Sequence, residues 1–189
     1  MKWFKKSFCA ILLAVLVANC SKTDLPNKLS FTCDASKSLA SLKKITDVKN
    51  TFTVKIPENW KRELYVSSIE SRIYFADTTK ELNNAFIFDI GYLQESQVID
   101  SNFTSNYQKT LTKKNQILAQ SGKFLHATKE SYFFLSSSDS FGIKSQNLSI
   151  FIPGSTFYYR VKIDVYGDQN IESRFCEALQ VFDRISFHK

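Results

Sequence analysis

The chain has 189 residues, with 25 Lys and Arg against 18 Asp and Glu and a formal charge of +7. Seventeen Phe and eight Tyr against five Gly and three Pro exclude a low-complexity or disordered chain and favour long, packed elements. Removing residues 1–19 takes away three lysines and no acid, which leaves 7 − 3 = +4 on about one domain's length of chain.

The N-terminus falls into three zones. Met1–Ser7 carries Lys2, Lys5 and Lys6, Phe8–Ala18 is eleven residues without a charge, and Asn19-Cys20-Ser21-Lys22 follows. A membrane-spanning helix needs about 20 apolar residues, so this run has the layout of a secretory signal peptide instead. Val17-Ala18-Asn19-Cys20 resembles the bacterial lipoprotein cleavage pattern, with Asn19 where a small residue is usual. The resemblance implies cleavage before Cys20 and acylation of that cysteine. Several acyl tails then hold the protein where one would hold it only marginally. Ser21 after the cysteine is compatible with the outer membrane. The alternative leaves Cys20 an ordinary thiol. Residues 1–19 are therefore expected as signal peptide, 20–49 as lipidated tether and lead-in, and 50–189 as the folded domain. In that compartment the expected partners are the membrane, through its anchor, and an envelope protein, not nucleic acid. Lys43-Lys44 and the cluster Lys109, Lys113, Lys114 read as solvated faces before they read as lipid or polysaccharide contacts.

With Cys9 removed and Cys20 lipidated, Cys33 and Cys176 remain. In an oxidising compartment such a pair is expected to form a disulfide, here tying the start of the domain to its last helix. A redox or metal role has no C-x-x-C spacing and no neighbouring histidine to support it.

Along the chain, Phe52, Val54 and Ile56 alternate with Thr53 and Lys55 before Pro57, which predicts a first strand. Leu64–Ser68, Arg72–Ala76 and Ala85–Leu93 follow as strands. Asp100 and Ser101 offer an N-cap to a helix whose Phe103, Tyr107 and Leu111 recur every four residues. Ile117–Ala119, Lys123–Ala127 and Ser131–Ser136 read as further strands. Asn147–Ile152 and Thr156–Tyr166, joined by Pro153-Gly154-Ser155, predict a hairpin. In its second strand Phe157, Tyr159, Val161, Ile163 and Val165 share one face, and Tyr158, Arg160, Lys162, Asp164 and Tyr166 the other. A last helix over about 170–185 carries the stripe Ile171, Phe175, Ala178, Leu179 and Phe182. Hairpins with helices laid on them define an α+β sandwich: an antiparallel sheet of about seven strands flanked by helices.

Phe52-Thr53-Val54-Lys55-Ile56-Pro57-Glu58-Asn59-Trp60 resembles the strand-Pro-x-x-Trp opening of domains related to photosystem II PsbP, Mog1 and the lipoprotein DcrB. The element order from about residue 50 to the end is similar too. The resemblance implies accessory or binding domains without an enzymatic centre. It places Trp60 as a packing residue, with ligand stacking as the alternative reading.

No catalytic constellation stands out. The glycines form no nucleophile elbow, P-loop or dinucleotide fingerprint. His126 and His188 have no partners at metal-ligand spacing, so neither metal nor cofactor is expected. A hydrolase would have to hang on His126 alone. Asp164, Asp168 and Asn170 around Gly167 read as turn residues rather than a calcium loop. The expected function is a lipid-anchored, non-catalytic binding or accessory module of the cell envelope. Its contact is sought on an aromatic face made by Trp60, Tyr158 and Tyr166. The alternative is a carrier of a small apolar ligand, which requires an internal pocket.

Overall fold

The computed structural model describes residues 24–34, 39–140 and 142–189. The expected signal peptide, the cleavage site and Cys20 lie outside them. The elements are α1 (Leu25–Lys28), β1 (Leu42–Thr46), β2 (Phe52–Pro57), β3 (Lys61–Val66), β4 (Glu70–Ala76), β5 (Phe86–Leu93), α2 (Ser101–Lys113), β6 (Ile117–His126), β7 (Lys129–Ser140), β8 (Ile143–Pro153), β9 (Tyr158–Tyr166), α3 (Ile171–Phe182) and β10 (Ser186–Phe187). They build the expected α+β sandwich. Its main sheet has seven strands in the order β3-β4-β5-β9-β8-β7-β6, and β1-β2-β10 form a smaller second sheet. Every pairing is antiparallel.

The core lies between the large sheet and the layer formed by the small sheet and α3. Cross-strand register aligns Ile73, Ile90, Val161, Ile150 and Phe133 in one row of the inner face. All five are buried, as are Phe52, Val54 and Ile56 of β2, which belong to the same cluster. The alternation read in β9 holds: Tyr159, Val161, Ile163 and Val165 are fully buried on that face, and Phe157 nearly so. The α3 stripe packs into the same core through Phe175, Ala178, Leu179 and Phe182. At its start Arg174, 4% exposed, donates to the backbone oxygens of Ala85, Tyr166 and Gln169.

Several boundaries differ from expectation, each for a local reason. Leu42–Thr46 falls in the segment read as lead-in but is strand β1. Its lysines face solvent and only Ile45 is buried, so the sequence carries no alternation to reveal it. Asp47 then closes the β1–β2 turn. Its Oδ1 accepts from the Thr51 and Phe52 amides at 2.6 and 2.8 Å, and its Oδ2 accepts from the Lys49 amide at 3.1 Å. β3 starts three and ends two residues earlier than expected, and Ser67 caps the turn to β4. The two segments predicted around 117–127 are one strand, β6, with a bulge between Leu118 and Gln120. The polar Gln120-Ser121-Gly122 run hides its continuity, and an edge strand tolerates such residues.

Cys33 and Cys176 are bonded, with 5.3 Å between their Cα atoms and 143 residues between them in sequence. Phe31 stacks on Phe175 beside them at 5.4 Å. By the loop-entropy relation such a closure is worth up to about 5 kcal/mol. The Cys33→Ser, Cys176→Ser protein is expected to lose stability of that order in urea unfolding, and the wild-type folded domain to show no titratable thiol without reductant. Asp47→Ala, which orphans two buried amides, is expected to cost about 2 kcal/mol in the same assay.

Candidate docking surface

The outer face of the large sheet is divided. Over β7 and β8 lies α2, started by Asp100, whose Oδ1 accepts from the Phe103 amide at 2.8 Å. Its Phe103 and Tyr107 rings cover Phe134, Phe151 and Tyr158, which form a second, smaller core. The Tyr107 hydroxyl donates to Ser149 Oγ at 2.9 Å. Towards β3, no helix among the described residues covers the sheet.

The residues singled out in sequence as a binding face do not make one. Trp60 is 4% exposed and packs on Phe75 and Phe86 at 6.0 and 5.3 Å between ring centroids, so it serves the core. Tyr158 is 7% exposed, because β9 is the middle strand of the sheet and α2 reaches over it. Its hydroxyl donates to Glu95 Oε1 at 3.2 Å, and burial, then the Glu95 charge, push it up to about 12. Tyr166 alone is half-buried, opposite Ser145. Alternation told which residues share the face but not which half of it a helix would cover.

The uncovered half carries charge. Register places Tyr65, Arg72, Gly91 and Arg160 in one row and Glu63, Tyr74, Asp89 and Lys162 in the next. Arg72 Nε donates to Asp89 Oδ1 at 3.2 Å, its Nη2 bonds Oδ2, and its guanidinium lies 4.7 Å over the Tyr74 ring. The arginine stem crosses Gly91, where a Cβ would come within 2.9 Å of Arg72 Cγ. Long side chains thus roof their own sheet with a satisfied ion-pair layer.

Beyond it, the edge is bare. β3 pairs on one side only, and five of its six residues are exposed. Leu64, Tyr65 and Val66 are 46%, 49% and 45% exposed, and Ile69 in the following turn is 61% exposed. Leu64 and Val66 share the inner-face register of Ile73 and Ser71 yet extend past the second layer. Sequence reading missed this surface. Its available signal was three consecutive apolar residues in a strand of which at most one face is buried.

The other candidate residues lie elsewhere in the fold. The His126 ring sits 4.8 Å from Phe182 and 5.3 Å from Phe187, with Nδ1 buried and unbonded among the described residues. Burial, then the Lys129 charge, hold it below the usual histidine range. Asp164 accepts from Asn147 Nδ2 at 2.7 Å, whereas Asp168 lies 3.6 Å from Lys144, so the acids around Gly167 diverge. Among the described residues no group of three or more His, Cys, Asp or Glu is placed to hold a metal ion. Two grooves, of about 530 Å3 between α3 and the lead-in and about 330 Å3 at the β7–β8 end, both open to solvent.

The architecture is that of the PsbP/Mog1-like α+β sandwiches. Cyanobacterial PsbP from Synechocystis sp. PCC 6803 superposes with a TM-score of 0.55 at 11% identity, covering 83% of this chain and 98% of that one. A Mog1 variant matches at 0.54 and 8% identity over 77% and 95% of the two chains. A protein of unknown function from Pseudomonas aeruginosa matches at 0.50 and 8% identity over 79% and 99%. No protein-family model and no curated protein matches the chain in sequence, so the likeness is one of fold.

The half-buried His126 makes stability pH-dependent. Its folded value is lowered, so the unfolded state takes up the proton first as pH falls. Its contribution is complete above the unfolded value of about 6.5 and declines as pH drops below it. The wild-type unfolding midpoint is expected to fall between about pH 7 and 5, and His126→Phe to flatten that part of the profile.

Proposed function

We propose that the protein is a lipid-anchored, non-catalytic docking module of the bacterial cell envelope, held by acylated Cys20 and binding an envelope protein through the β3 edge. The observation that carries this reading is the bare strand itself. Its outward backbone N–H and C=O groups have no strand partner among the described residues. Over Leu64, Tyr65 and Val66 it lacks the devices that usually blunt an edge: no charge, no proline, no bulge and no covering helix among the described residues. An extended segment of a partner adding to β3 would satisfy those groups and cover the three apolar side chains. The accessory role implied by the PsbP-like opening supports the same reading, and Ser21 after the cysteine suits the outer membrane. The alternative, an apolar-ligand carrier, needs an enclosed apolar chamber, and the two grooves described above are open ones.

The test is crosslinking capture from intact cells of the native host, with the lipidated protein as bait. A stoichiometric envelope protein is expected. The pair Tyr65→Lys, Val66→Glu should lower its yield by roughly tenfold or more, the cost of losing one to two central contacts, while leaving the unfolding midpoint in place. Capture that survives these substitutions excludes the edge.

A further inference from the structure

The proposed anchor and the fold together limit which side of the domain can meet the membrane. Leu25 of α1 is fully buried, and Leu29 just beyond is nearly so. α1 is fastened to β6, the strand at the opposite edge of the sheet from β3, where Gln120 Nε2 donates to the Lys28 carbonyl at 2.6 Å. Cys20 and Leu25 are five residues apart, a span of at most about 18 Å even when fully extended. A domain tied so closely to an acylated residue cannot ride free of the bilayer.

We infer that the β6 edge, framed by α1 and the C-terminal end of α2, is a contact surface for anionic lipid headgroups. This rests on the anchor reading above. Lys28, Lys113 and Lys114 are exposed there, and none has a carboxylate partner among the described residues. Ile117 and Leu125 of β6 are 73% and 58% exposed. The acids on the same side include Asp24, at the head of α1, and Glu130, which Lys123 holds at 2.7 Å, while Asp139 and Asp168 line the groove beside Ile117, where Asp168 lies 3.6 Å from Lys144. Lysines that reach phosphates beside a few apolar side chains at the interface form the chemistry of a membrane-surface contact. The lysine cluster of α2, which in sequence is one more solvated helix face, thereby gains a second basic element beside it. β3, six strand spacings away or about 29 Å, is left facing the compartment and its partners.

The full chain is processed in a Gram-negative host and reconstituted into vesicles of brominated phosphatidylcholine and phosphatidylglycerol. Its emission is compared among the parent, Ile117→Trp and Tyr65→Trp, and intact mass reports whether Cys20 is acylated. Trp60 is common to all three proteins and is subtracted. The indole introduced by Ile117→Trp is expected to lose most of its emission to the bromines and that of Tyr65→Trp to keep it. Leu125→Trp replaces Ile117→Trp if the latter fails to fold. Lys28→Glu, Lys113→Glu, Lys114→Glu should relieve the quenching. Equal emission at both edges with Cys20 acylated, or quenching indifferent to the three reversals, overturns the headgroup contact and leaves the anchor reading intact. An unacylated Cys20 overturns both.

Discussion

Tyr159 joins the two layers. Its ring is fully buried at the centre of the large sheet's inner face, and its hydroxyl donates at 2.9 Å to the carbonyl of Thr51, at the start of the small sheet's middle strand. Phe52, Tyr92, Phe157 and Phe187 surround the ring. One side chain thus ties a central strand, β2 and the end of the chain, and burial pushes its hydroxyl up to about 12. A sheet with one predominantly apolar face has to be covered over most of its width. The order β3-β4-β5-β9-β8-β7-β6 sets that width, and β1, β2, β10 and α3 supply a cover that stops short of β3.

From that shortfall comes the asymmetry of the molecule. β6 is an edge that the fold manages, with a bulge, a docked helix and a neighbouring helix end. β3 is an edge left open, with exposed apolar side chains on both of its faces. The disulfide and the Phe31–Phe175 stack hold the lead-in against α3, so the lead-in around Cys33 is pinned to the domain rather than left as loose tether. With the anchor proposed at Cys20, a short leash at one edge and an uncovered strand at the other give a membrane-proximal side and a membrane-distal side.

The polar groups inside the domain serve the fold. Arg174 binds three backbone oxygens, Asp47 closes a turn, Arg72 and Asp89 roof the outer face, and His126 fills a space between phenylalanines. The same sandwich is shared with proteins at or below about one residue in nine identical, as expected when binary pattern and layer order, rather than particular side chains, specify an architecture.

The sequence by itself determined the alternation of Tyr159, Val161, Ile163 and Val165, the Asp100 cap, the α3 stripe and the seven-strand antiparallel class. It also singled out the Cys33–Cys176 pair by counting. Each of these is local or arithmetic: periods of 2 and 3.6 and the last two cysteines of the chain are written in one dimension. Only the tertiary structure decided that β9 is central and β3 terminal. That placement buried Tyr158 and exposed Leu64, Tyr65 and Val66, while the packing of the second layer drew strand β1 out of the lead-in segment. Strand order depends on which strands pair across long stretches of chain. A strand's own residues record which side it buries but not how many neighbours stand beyond it.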